Sequence, residues 1–172
     1  EVPKTARQAL SGRRAEYWQD AMEEELLNLR RHDAWDLVER PENKKIIGSR
    51  WVFAVKTNEH GFPKYKARLV AQGFKQRPGV DYGDTYAPVI RKETTRVLVA
   101  LAVELDLEIH HLDVKSAYLH SELKEETFME QPPFAHEKDR QLFVCKLKKS
   151  IYGLAQSGRA WNEHASKVLM EN

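Results

Sequence analysis

The stretch IIGSRWVFAVKTNEHGFPKYKARLVAQGF, residues 46–74, decides how this chain is read. Residues 46–57 are rich in strand formers, NEHG (58–61) is a turn signal, and residues 62–74 return, so the pattern predicts a β-hairpin. Pro63 belongs at the start of the returning strand or on an edge, because it donates no ladder hydrogen bond. Side chains alternate along a strand with a period of two, which puts Lys64, Lys66 and Arg68 on one face and Tyr65, Ala67 and Leu69 on the other. Three cations opposite an apolar face present donors to phosphate without burying charge. Arg68 is the best suited of them, since its guanidinium binds phosphate oxygens bidentately. Surface solubility is the competing reading for each lysine taken alone.

Working outward, Trp18, Met22, Leu26 and Leu29 lie three or four apart, so residues 15–31 read as an amphipathic helix whose task is packing. Glu23, Glu24 and Glu25 are read as its wet face. Residues 34–39 form a short strand and 41–45 a turn. Residues 77–89 read as a loop, with Asp81 and Asp84 capping turns beside glycines. Val97, Leu98, Leu101, Ala102 and Leu105 predict a helix over 94–105 that covers a sheet. LEIHHLDV (107–114) then reads as a strand on which Asp113 faces opposite to Leu112 and Val114, and the next residues as a short helix. Residues 142–147 are a further strand, and 157–169 a final helix with Trp161, Ala165, Val168 and Leu169 inward. The alternation of helices and strands gives an α+β class.

The composition bounds the function. At 172 residues, the chain is long enough for one sizeable core or two small subdomains. Its hydrophobic share of 41% and charged share of 31% are those of an ordinary soluble domain. No apolar run approaches the roughly 20 residues that span a bilayer, and the first residues lack a secretory signal, so no membrane partner is expected. One cysteine, Cys145, excludes an internal disulfide and a cysteine-cluster metal site, and suits an intracellular setting. Net charge is only +2, yet residues 44–77 hold nine Lys/Arg against Glu59 alone, a basic field that favours a polyanion partner.

By local pattern, Asp113 either ends a strand and coordinates a divalent ion or caps a helix. Tyr118 either flanks the sugar of a nucleotide or joins the core. QSGRAW (156–161) offers an amide side chain and a turn before a helix, suited to touching a base or a template backbone.

Four stretches in order then resemble the reverse transcriptase of Ty1/copia-type retrotransposons: residues 49–74, YAPV (86–89), LDVKSAYLHSELKEETFMEQPP (112–133) and CKLKKSIYGLAQSGRAW (145–161). DAMEEEL (20–26) resembles it as well, so the likeness covers nearly the whole chain. It implies a right-hand polymerase fold made of fingers and an incomplete palm. Residues 1–43 would be an N-terminal helical segment, 44–92 a fingers-like basic hairpin and loop, and 93–172 a partial palm. It further implies that Asp113 is the first catalytic aspartate and a metal ligand, with the backbone of Val114 as another. Lys66, Arg68, Tyr118 and Gln156 would bind nucleotide, Tyr118 as the ring that excludes a ribose 2′-OH. Lys56, Lys64, Lys75 and Arg159 would bind nucleic acid. The implied cofactor is Mg2+, two ions in a complete site, with Mn2+ as an alternative. The implied partners are an RNA template, a DNA primer, a deoxynucleoside triphosphate and the remainder of a Pol polyprotein, in a cytoplasmic particle or the nucleus.

Departures from the family pattern set the limits of that reading. The family's later palm hairpin carries an Asp-Asp pair, and this sequence holds no adjacent Asp-Asp pair. The chain is therefore expected to be a fragment of an RNA-directed DNA polymerase, inactive alone. A non-catalytic nucleic-acid-binding module and a domesticated structural remnant are the alternatives. Ser121, Ala155 and Gly158 stand where family members often carry glycine, lysine and proline.

Overall fold

The computed structural model describes residues 1–57 and 59–171. The expected hairpin is present as β3 (Ser49–Thr57) and β4 (Pro63–Ala71), paired antiparallel with Trp51 opposite Leu69 and Lys56 opposite Lys64. Pro63 opens β4, where its missing N–H leaves no gap in the ladder. The alternation is as the sequence predicts: Ala67, Leu69 and Ala71 are buried, and Lys66 and Arg68 lie on the more open face.

Ile46 and Ile47 do not extend the hairpin. They form β2, which runs parallel to β5 (Glu122–Met129) in a second sheet of order β1-β6-β5-β2. There β1 (Trp35–Glu39) and β5 each pair antiparallel with β6 (Phe143–Lys149). Strands from all three sequence segments thus share one sheet, giving a mixed α+β chain. β5 carries no strong apolar alternation in its first half, and its ladder breaks between Glu122 and Thr127, which explains why it is hard to read from sequence. The short α1 (Ala6–Ser11), capped by Thr5 Oγ1 accepting from Gln8 N–H, also lacks a long apolar period.

α2 (Ala15–Arg31) spans the expected residues and buries Trp18, Met22 and Leu29 against the hairpin's apolar face. Each such side chain contributes roughly 1.5–3 kcal/mol. Trp18 meets Phe53 and Tyr65 edge-on, with ring centroids 5.2 and 4.8 Å apart. The helix stops in a Schellman arrangement: Ala34 N–H donates to Leu29 O, Asp33 N–H donates to Arg30 O, and Asp33 adopts a φ of 52°. This turns the chain directly into β1.

Two expectations fail in the second half. Residues 107–114 form no strand; they are irregular and exposed, because none of the described strands lies alongside to take up their backbone N–H and C=O groups. α3 (Lys92–Glu104) forms as expected but covers no sheet: of its side chains only Ala102 is buried, and Val97, Leu98 and Leu101 are exposed. α4 (Ser157–Glu171) holds Trp161 and Ala165 partly buried, whereas Val168 and Leu169 face out, the helix extending past what it packs on. Among the described residues no helix is long and apolar enough to cross a membrane.

Cys145, on the central strand β6, is fully buried, and burial pushes its thiol up to about 12. The thiol should react with an aromatic disulfide reagent only when the sheet opens. Labelling that follows global unfolding across a denaturant series is expected; rapid labelling of the native chain would contradict this packing.

Candidate nucleotide site at the hairpin edge

β4 has β3 on one side and, among the described residues, no strand on the other. Three outward N–H groups at the C-terminal end of that free edge and just beyond it are nonetheless taken. Leu69 N–H donates to Glu25 Oε1 of α2 at 3.2 Å, Ala71 N–H to Tyr152 O at 2.8 Å, and Gly73 N–H to Gly153 O at 3.1 Å. A helix carboxylate and a two-residue turn thereby bind the hairpin to the rest of the molecule, satisfying donors that an edge strand leaves open. The approach is closer than side chains permit. A Cβ on Gly73 would lie 2.1 Å from Gly153 O, and one on Gly153, whose φ is +92°, would lie 2.2 Å from Ala71 O.

This junction brings three of the four residues expected to bind nucleotide together. Lys66, Arg68 and Tyr118 line one small cavity of about 70 Å³ with Glu25, Ser116 and Tyr152. The Arg68 guanidinium sits 4.6 Å from the centre of the Tyr152 ring. Tyr152 in turn meets Tyr118 edge-on at 4.9 Å. Arg68 and Tyr118, fifty residues apart in sequence, are therefore linked through one aromatic ring, by contacts of the cation–π and T-shaped kinds. Tyr118 lies on a short 3-10 turn, Ala117–His120, and is half-buried.

Gln156 is buried on the other side of residues 116–121, at an open cleft of about 820 Å³ that Arg159 also lines. Its Oε1 accepts from Gln76 Nε2 at 3.2 Å, while Gln76 Oε1 accepts from Ala155 N–H at 3.0 Å. The Gln156 Nε2 donor has no partner among the described residues. Arg159 is already engaged: its guanidinium meets Glu163 at 2.7 Å and Asp84 at 2.8 Å, so a phosphate there would compete with two carboxylates. By contrast Lys56, Lys64, Lys66, Arg68 and Lys75 make no ion pair among the described residues. Lys44, Lys45 and Arg77, from the same basic run, pair with Glu126 or Asp81. Asp81 is held at about 2 by its hydrogen bond from Arg77, and Asp84 accepts from Tyr86 N–H, so both work as turn residues as expected.

Asp113 and Val114 are exposed and stand apart from that cavity's lining. Among the described residues no three His, Cys, Asp or Glu side chains gather in a way that holds a metal ion. One exposed carboxylate does not make a cage for two hydrated divalent ions, which take several oxygen ligands each. The residues present do not fit a two-metal site by themselves.

One of the three glutamates expected on the wet face of α2 instead turns inward. Glu25 is not part of a wet face: it is partly buried, and burial pushes its carboxyl up from the ordinary value of 4.5, against the Leu69 N–H bond and the Arg68 and Lys66 charges. The signal was available, since Trp18, Met22, Glu25 and Leu29 fall at spacings of four, three and four on one helix face. Because the folded chain holds this proton more tightly, the stability tied to it is full below 4.5 and is lost as pH rises through the raised value. Glu25→Gln, which keeps the acceptor oxygen, should leave stability unchanged at pH 4 and raise it at pH 7. Denaturant midpoints at the two pH values measure this, and a destabilised variant at pH 7 would contradict it.

Comparison with known proteins identifies the family. A family model described as "Reverse transcriptase (RNA-dependent DNA polymerase)" matches residues 32–172. The chain is 44% identical over 170 residues to the retrovirus-related Pol polyprotein from transposon RE1 of Arabidopsis thaliana, covering 98% of this chain and 11% of that protein. It is 44% identical over 161 residues to the polyprotein from transposon RE2 of the same plant, covering 92% of the chain and 11% of that protein. It is 39% identical over 160 residues to that from transposon TNT 1-94 of Nicotiana tabacum, covering 92% and 12%. The chain thus spans about a tenth of the length of these relatives. No solved structure matches it. With the family model covering most of the sequence and these polyproteins aligning along nearly all of it, the chain belongs to the reverse transcriptase family, in its copia-type Pol polyprotein branch.

Proposed function

We propose that the chain supplies the nucleotide- and template-facing part of an RNA-directed DNA polymerase with a right-hand fold. Residues 44–92 act as fingers and 93–172 as part of the palm, following the N-terminal segment 1–43. The observation that carries this reading is the convergence of Lys66, Arg68 and Tyr118 on one cavity, joined through Tyr152. Lys66 and Arg68 would bind the triphosphate of an incoming deoxynucleotide, and the Tyr118 ring would close off the space a 2′-OH needs. The β3–β4 face beside them carries Arg50, Lys56, Lys64, Lys66 and Arg68 and no carboxylate. Lys56 and Lys64 lie directly opposite each other, a like-charge pair that disfavours the bare hairpin and that phosphate would relieve. RNA template and DNA primer are the polyanions of this reading, with Lys75 and Gln156 at the margins.

In the complete protein, the primer 3′-OH attacks the α-phosphate and pyrophosphate leaves. Members of the family generally depend on divalent metal, Mg2+ or Mn2+ in this reading. Asp113, with the Val114 carbonyl beside it, would supply part of a ligand set, and the further carboxylates would have to come from the remainder of the polyprotein. The isolated chain is accordingly expected to bind and not to polymerise.

The test is titration of the chain with dTTP. Binding should be lost on Arg68→Ala and weakened about tenfold on Lys66→Ala, as expected for charge-assisted phosphate contacts. Equal affinity in both variants would overturn the assignment. A second reading, a nucleic-acid-binding module without catalysis, rests on the same unpaired cations; nucleic-acid binding without any dTTP binding would favour it.

A further inference from the structure

All of α2 precedes the stretch matched by the family model, and yet the helix reaches both halves of the cavity. Three residues after Glu25, on the same helix face, Asn28 Nδ2 donates to Ser116 Oγ at 2.9 Å. Ser116 adopts φ 55° and ψ 37°, the left-handed region that a non-glycine residue enters at a cost. Ser116 begins the turn that carries Tyr118: its carbonyl accepts from Leu119 N–H at 2.8 Å, and Tyr118 O accepts from Ser121 N–H at 3.1 Å. One turn further along, just past the end of α2, His32 meets His120 edge-on at 5.2 Å, with its Nδ1 2.9 Å from Asn28 O. The helix therefore touches the Tyr118 turn at both ends, and the strained residue is the one it bonds.

We propose that Asn28 is a positioning residue, holding Ser116 in its left-handed conformation and so fixing where the Tyr118 ring stands against Tyr152 and Arg68. Resting on the nucleotide reading above, the proposal makes α2 part of the device that distinguishes deoxyribose from ribose. Triphosphate contacts lie on β4, so loosening the Tyr118 turn should admit a ribonucleotide without weakening the grip on phosphate.

The experiment compares Asn28→Leu, which keeps the size and loses the bond, with Asn28→Asp, whose carboxylate accepts from the Ser116 hydroxyl and restores it. In the full chain, amide exchange at Leu119 and Ser121 is expected to quicken about fivefold in Asn28→Leu, the effect of one lost hydrogen bond, and to return in Asn28→Asp. In parallel, affinity for UTP should rise severalfold in Asn28→Leu while affinity for dTTP stays within twofold. General damage to the fold would lower both affinities and would not be rescued by aspartate. Unchanged exchange at Leu119 and Ser121 in Asn28→Leu overturns the proposal, as does a parallel fall in both affinities. A wild-type chain that binds neither nucleotide refutes the nucleotide reading instead, and the exchange rates alone then decide whether Asn28 positions the turn.

Discussion

Gly153→Ala should destabilise the chain by about 3 kcal/mol or more, the range of substitutions that force both a collision and a forbidden backbone conformation. The added Cβ would press to 2.2 Å from Ala71 O at a residue whose φ is +92°. Backbone atoms cannot swing aside as a side-chain tip can. The collision falls among the bonds holding the free edge of β4, so the hairpin should loosen from residues 150–156 before the four-stranded sheet melts. Urea denaturation followed by tryptophan fluorescence measures the loss. Gly158→Ala is the matched control: its Cβ would stand 3.6 Å from the Ala87 Cβ, an ordinary contact, and it lies in the first turn of α4. That variant should be neutral or stabilising by up to about 1 kcal/mol. Equal effects at the two glycines would contradict the junction.

Neutralising Lys64, Lys66 and Arg68 together should weaken single-stranded nucleic-acid binding by about two orders of magnitude at moderate salt. The slope of log affinity against log salt should flatten by about two, at roughly 0.7 for each phosphate of a single strand that is no longer neutralised. The fold itself should survive, because these side chains share the open face and removing Lys64 ends its opposition to Lys56. Filter binding across a salt series, with thermal melting as the control, gives both numbers. Affinity and slope equal to those of the parent chain would show that the face is merely solvated.

How much of this was legible in the sequence differs by element. The hairpin, α2 and β6 announce themselves because each has one face on a core, and periodicity records a buried face. Residues 107–114 have the same strand-like composition, yet composition does not provide a partner, and the backbone there pairs with no strand among the described residues. α3 shows the same lesson from its side chains: Val97, Leu98 and Leu101 repeat as a core face would, yet they stand exposed. Of the candidate site, Lys66, Arg68 and Tyr118 were legible from their residue types and the family resemblance. Tyr152, Gln76 and Asn28 were not, because their roles depend on contacts across tens of residues that no local pattern encodes. The glycines of QGF and YGL are explained only by each other. Gly158 is explained by position: in the first helical turn a proline, expected there from the resemblance, would also sit without loss of a helix hydrogen bond.

As proposed above, Asp113 is a catalytic carboxylate that would need further carboxylates from outside this chain. Primer extension by a chimera, in which this chain replaces its aligned segment in the transposon RE1 polyprotein, tests that most directly. The chimera should extend a DNA primer on an RNA template, and Asp113→Asn should lower the rate at least about a thousandfold while dTTP binding persists, as expected for loss of a group acting in the transition state. An Asp113→Asn chimera that extends the primer as fast as its parent would contradict the account.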